Sequence, residues 1–152
     1  MKHWLMKSEP DEFSIDALKR RGREPWTGVR NYQARNFMRQ MQVGDPVLFY
    51  HSSCPEPGIY GLAEVVAPAY PDPTQFQKKS DYFDPASKPE EPRWWCVDVG
   101  FVRKLAAPVT LERLKADADW FGDFALLQRG NRLSVLPVTA AQYRRILSFE
   151  QP

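Results

Sequence analysis

Between Trp26 and Asn36 the chain places a tryptophan, a tyrosine, two asparagines, a glutamine and two arginines within 11 positions, WTGVRNYQARN. A pocket for a flat heterocycle calls for these types: rings to stack on, and cations for a phosphate attached to it. The amides of Asn31, Gln33 and Asn36 each set a donor beside an acceptor, which matches the edge of a base. The same residues also suit a purely structural role, with Trp26 plugging a core and the amides serving turns and caps. A second polar group, His51-Ser52-Ser53, stands where a strand leaves its sheet and runs into Cys54-Pro55.

Other chemistries find less material. The only histidines are His3 and His51, and there is no HExxH, no CxxC and no clustered acid triplet, so no metal site is expected. The 8 glycines are spread singly, with neither GxxxxGK[ST] nor GxGxxG to cradle a phosphate. A nucleophile such as Ser8, Ser52 or Cys54 would meet His51 only if the fold assembled the pair. No catalytic residue is therefore assigned, and the chain is read as a binding protein.

Charge points the same way. The net charge of +2 is too small for a general polyanion binder. Its distribution is uneven: Lys19, Arg20, Arg21, Arg23, Arg30, Arg35 and Arg39 are opposed within residues 19–39 by Glu24 alone. A local basic patch on a near-neutral body suits contact with a few phosphates. It equally suits a solvated helix end followed by a helix face.

Short elements must hold these groups. Fourteen prolines in 152 residues favour turns over long helices. His3 to Lys7 reads as a strand. Ser14 caps a helix that carries Asp16 early and Lys19, Arg20 and Arg21 late, as the helix dipole favours, and Gly22 closes it. Trp26 to Arg30 is a loop. Asn31 to Met41 has helical spacing, with Ala34, Phe37, Met38 and Met41 inward and Tyr32, Arg35, Asn36 and Arg39 on another face. Pro46 to Ser52 is a strand with Val47, Phe49 and His51 on one side and Leu48, Tyr50 and Ser52 on the other. Tyr60 to Val66 and Arg93 to Arg103 are further strands, and a proline-punctuated loop from Pro68 to Pro92 separates them. Thr110 caps a helix over Leu111 to Ala116. Leu133 to Val138 is a short strand, and Thr139 caps a last helix that turns Tyr143, Ile146 and Leu147 inward. One α+β domain over residues 1–152, built around a small twisted sheet or barrel, is the expected architecture.

No stretch approaches the roughly 20 apolar residues of a membrane span. The N-terminus lacks the long apolar region of a secretory signal, so a cytoplasmic setting with Cys54 and Cys96 reduced is expected.

Six stretches then take on a common meaning. WLMKSEP (Trp4–Pro10), WTGVRNYQARN (Trp26–Asn36), FYHS (Phe49–Ser52), GIYGLAEV (Gly58–Val65), AYPDPT (Ala69–Thr74) and LSVLPV (Leu133–Val138) closely resemble the EVE domain family, in order and over essentially the whole chain. The resemblance implies a PUA-like fold, a small β-barrel flanked by short helices, related to the YTH readers of methylated adenine in RNA. It implies binding of modified bases in DNA, notably modified cytosines, and no cofactor. On this resemblance Trp26 is the main ring wall. Asn31, Tyr32, Gln33 and Asn36 line the pocket, Ser8, His51 and Ser52 come from strand ends, and Ser134 lies on the late strand. Arg30 and Arg35 hold phosphate or shape the pocket. The competing readings are an RNA reader with the same pocket, an enzyme using His51, and an adaptor whose aromatic loop 68–92 meets a protein.

Overall fold

Leu5 and Leu48 lie beside each other in the middle of one mixed sheet of six strands. A computed structural model describes residues 1–150 of the chain. The strands are β1 (His3–Ser8), β2 (Arg23–Pro25), β3 (Pro46–His51), β4 (Gly58–Pro71), β5 (Trp95–Thr110) and β6 (Val135–Val138). They are ordered β2-β5-β4-β3-β1-β6. β1 pairs in parallel with β3 and antiparallel with β6, and the other pairs are antiparallel. Among the described residues hydrogen bonding does not close the ring, and β2 and β6 are its edges. The barrel-like form comes from twist and from four register shifts along the β4–β5 pair, each of which bends the sheet locally.

Alternation of side chains buries both faces. Trp4, Met6, Val47, Phe49, Val65 and Val97 pack with Trp26 under α1 (Ile15–Arg21) and α2 (Tyr32–Gln40). Leu5, Leu48, Tyr50, Ile59 and Leu136 pack on the other side with Leu114, Phe121 and Ile146. These come from α3 (Leu111–Lys115), α4 (Ala118–Phe121) and α5 (Ala140–Ser148). The Trp4 indole donates to buried Asp45 at 2.9 Å, so the largest core ring brings its own acceptor.

The helix starts follow local capping chemistry. Ser14, Thr110 and Thr139 accept from the backbone N–H three residues on, and Gly22 ends α1 at φ 82°. The long strands depart from expectation. β4 runs to Pro71 and β5 to Thr110, so the front of the 68–92 segment is strand. Pro68 and Pro108 are accommodated because each falls within a stretch where the β4–β5 register shifts. β2 is an unforeseen strand: three residues with no pattern of their own pair with Asp98–Gly100 of β5.

The rest of the 68–92 segment is tied down by a buried glutamine. Gln75 Nε2 donates to the carbonyls of Asp72 and Trp94, both at 2.8 Å. Its Oε1 accepts from the Ser87 hydroxyl at 2.6 Å and the Trp94 backbone at 3.1 Å. Both cysteines are free thiols, and burial pushes that of Cys96 up to about 12. Among the described residues no helix is long and apolar enough to cross a membrane.

Candidate functional site

β3, β1 and β6 are neighbours, and all three reach the same edge of the sheet with a serine. Ser8 ends β1, Ser52 follows β3 and Ser134 precedes β6. The backbone locks the three together: Ser52 N–H donates to Ser8 O at 3.0 Å, and Lys7 N–H to Ser134 O at 2.8 Å. Beside them opens a cleft of about 560 Å3, within the range of small-ligand sites.

Trp26 is part of its lining. The indole is only 8% exposed, set edge-on to Phe49 at 5.5 Å and to Phe13 at 6.5 Å. Its backbone N–H donates to Val97 O at 2.7 Å, which fixes the start of the following loop on the sheet. Trp26 thus belongs to the core and to the cleft together.

The chain from Thr27 to Asn31 lines the same cleft. Asn31 lines the cleft while its Oδ1 caps α2 by accepting from Ala34 N–H at 2.9 Å. Gly28 adopts φ +86°, and a side chain there would strike the ring of Tyr82, which lies across it and also lines the cleft.

That ring is held by an arginine clamp. Arg30 reaches the Tyr82 carbonyl through Nη2 at 2.7 Å and Nε at 3.1 Å. Nη1 meets the Asp72 carboxylate and the Val29 carbonyl, each at 3.1 Å, and Nη2 also meets Thr74 Oγ1 at 3.0 Å. Asp72 is fully buried and accepts further from Gly28 N–H and Thr74 N–H, both at 2.8 Å. A buried carboxylate with so many donors, one of them a guanidinium, satisfies the condition for charge in a protein interior.

The cleft carries mixed charge. Lys7, Arg30 and Arg132 line it together with Glu9, Glu12 and Glu24. Burial lowers the Lys7 pKa, and its ammonium stands 5.6 Å from the Tyr50 ring. Burial, with Glu12 next, raises the Tyr82 phenol, which stays protonated at neutral pH.

Of the residues singled out in the sequence, Ser8, Trp26, Arg30, Asn31, Ser52 and Ser134 meet around this cleft. The others stand elsewhere, for geometric reasons. After the cap at Asn31, each residue of α2 rotates about 100° further round the axis. Tyr32 therefore turns outward, 53% exposed, and stacks on Trp94 at 4.8 Å. Gln33 is exposed, and Asn36 accepts from Arg35 through Nε and Nη2 at 3.1 and 2.8 Å. Arg35 also donates to the Arg93 carbonyl at 2.9 Å. His51 is buried, stacked on Tyr60 at 4.2 Å, and its Nε2 accepts from Ile15 N–H at 3.1 Å. That lone pair is not free to act as a base. Burial lowers the His51 pKa and keeps the ring neutral.

Sequence reading did not single out Phe13, Gly28, Tyr82 or Arg132 as lining residues. A glycine between Thr27 and Val29 was the one local signal; Tyr82 arrives from more than 50 positions away.

A bulged, incompletely closed sheet of this topology, with short helices on both faces and a cleft lined by a tryptophan, is a PUA-like fold. The EVE domain family model matches residues 2–149, and the chain belongs to that family. It is 44% identical to human thymocyte nuclear protein 1, covering 98% of this chain and 74% of that protein. A crystal structure of a Pseudomonas syringae protein matches with TM-score 0.92 and 51% identity over 96% of this chain and 97% of that one. The structure of human thymocyte nuclear protein 1 in complex with DNA containing 5-methylcytosine matches with TM-score 0.93 and 42% identity over the full length of both chains.

Proposed function

We propose that this protein is a non-enzymatic reader that takes one flipped base of DNA, a modified cytosine, into the cleft above Trp26. The observation that carries the reading is the meeting of Trp26, Asn31 and three strand-end serines around one cleft. It occurs in a chain that matches, at TM-score 0.93, a relative solved with 5-methylcytosine DNA.

The chemistry fits a base. Trp26 offers ring surface, and Asn31, Ser8, Ser52 and Ser134 offer hydrogen-bonding groups at its margins. Glu9 and Glu12 on the rim suit an amino-bearing edge, because carboxylates accept from cytosine N4. Tyr82, fastened by Arg30, closes one side. Extracting a base from its stack costs a few kcal/mol, and less where the strand is already open. Stacking on one aromatic returns about 1–3 kcal/mol. A methyl group filling an apolar niche adds about 1–3 kcal/mol, or roughly 10- to 200-fold. Preference for the modification is then a moderate factor on top of a general affinity.

Titration with short DNA and RNA oligonucleotides, each with cytosine, 5-methylcytosine or another modified base, tests this. Preference for one modified base in DNA by tenfold or more is the expected result. Equal curves across the panel would overturn the reading, and stronger binding to the RNA series would move it to RNA. Trp26→Phe keeps an aromatic in the core and should reduce the preference while leaving the protein folded. Trp26→Ala removes a buried ring and costs about 3–5 kcal/mol of stability, so binding must be read only where folding is verified.

A further inference from the structure

The basic run of residues 19–39 separates in the fold into neutralised and free charges. Arg21 pairs with Glu24 at 2.8 Å, Arg23 with Asp98 at 2.9 Å and Arg30 with Asp72 at 3.1 Å. Among the described residues Lys19, Arg20, Arg35 and Arg39 have no carboxylate partner. Lys19 and Arg20 are accounted for by the last turn of α1, where the helix dipole favours cations.

Arg35 and Arg39 are held differently. The Arg35 guanidinium lies 4.7 Å from the centre of the Tyr32 ring, and that of Arg39 lies 4.6 Å from the Trp95 ring. Among the described residues Arg35 donates to neutral acceptors alone, Asn36 Oδ1 and the Arg93 carbonyl. Residues 32, 35 and 39 follow one face of α2, over the start of β5. Two cations are thus positioned on aromatic surfaces with their charge uncompensated.

This face is continuous with the cleft. Arg30, which lines the cleft, stands 5.6 Å from the Tyr82 ring and 5.4 Å from the Trp94 ring. Trp94 in turn carries Tyr32, and Tyr32 carries Arg35. A strand whose base entered the cleft past Asn31 would run its neighbouring phosphates towards this row. Planar guanidinium groups suit phosphate oxygens, and seating them on rings beforehand lowers the ordering cost of binding.

We infer that the Tyr32–Arg35–Arg39 face of α2 is a backbone track for nucleic acid: Arg35 and Arg39 contact the phosphates flanking the flipped nucleotide, and Tyr32 and Trp95 position them. The inference rests on the base-reader function, but its signature differs. Phosphate contacts set affinity and its salt dependence and carry no base information.

The test measures binding of a 5-methylcytosine DNA oligonucleotide and its unmodified twin from low to moderate salt. Wild type is compared with Arg35→Gln, Arg39→Gln, the double variant and the two lysine variants. Each glutamine variant should lose about tenfold in affinity for both oligonucleotides equally. Each should lower the slope of log affinity against log salt by about 1. The ratio between the two oligonucleotides should stay unchanged, and lysine should restore the slope. Arg39→Gln guards against misfolding, since Arg35 also supports the Arg93 backbone. An unchanged slope in folded variants overturns the track and leaves this face as packing of α2 on β5. A changed ratio at constant slope overturns it too, because the arginines would then belong to base recognition. If the wild type binds both oligonucleotides alike but the slope still falls, the track stands and the modified-base reading fails.

Discussion

The ring of Tyr82 lies so close over Gly28 that a Cβ at that position would meet two of its carbons at 2.7 Å. This contact lays the middle of the 68–92 segment against the cleft lining. The glycine is required twice, for the ring above it and for its φ of +86°.

Gly28→Ala should lower stability by about 1–2 kcal/mol through backbone strain alone. It should also weaken oligonucleotide binding, because the displaced ring disturbs the cleft. Adding Tyr82→Ala should relieve the clash but not the strain. Thermal melts and titrations of the single and double variants separate the two contributions.

Asp72→Asn should destabilise the protein by about 3 kcal/mol. It removes the carboxylate paired with Arg30 and leaves the guanidinium over Thr74 and the Tyr82 carbonyl without its ion-pair partner. Chemical denaturation measures the loss, and replacing Arg30 with Met in the same chain should recover part of it.

Gln75→Leu should cost about 2 kcal/mol or more, since the Ser87 hydroxyl and the Trp94 backbone N–H both lose their buried acceptor. The effect should be local first. Limited proteolysis should cut the variant within residues 77–92 under conditions that leave the wild type intact.

His51 gives a pH dependence with a definite sign. Its folded pKa lies below the ordinary 6.5, chiefly through burial, so the unfolded chain binds the proton more readily. Its contribution to stability is complete above pH 6.5 and declines as pH falls from there towards the folded value. Protonation would also remove the acceptor for Ile15 N–H. Wild-type stability should therefore fall more between pH 7 and pH 5 than that of His51→Gln, as read from denaturant midpoints. Asp16, Asp84, Asp117 and Glu150 all have lowered pKa values and lose their ion pairs at more acidic pH, outside this window.

What the sequence determined by itself is what near neighbours decide. Ser14, Thr110 and Thr139 cap helices because their hydroxyls reach an N–H three residues on. The alternation of Val47 and Phe49 against Leu48 and Tyr50 assigns strand faces from period alone, and the long motifs identified the family. The cleft was partly legible for the same reason: Ser8 and Ser52 mark strand ends, Ser134 belongs to the last strand segment, and Trp26 to Asn31 is one continuous lining stretch.

Only the tertiary structure could decide the rest, because those interactions join residues far apart in the chain. β2 exists because β5 offers it a partner. Seven basic residues look alike in the sequence, yet Asp72 and Asp98 neutralise Arg30 and Arg23 and leave Arg35 and Arg39 bare. His51 could serve as a pocket group, a base or a structural ring until Ile15 takes its lone pair. Charge and hydrogen-bonding capacity are written in residue type; whether they remain available depends on which distant group the fold brings within 3 Å.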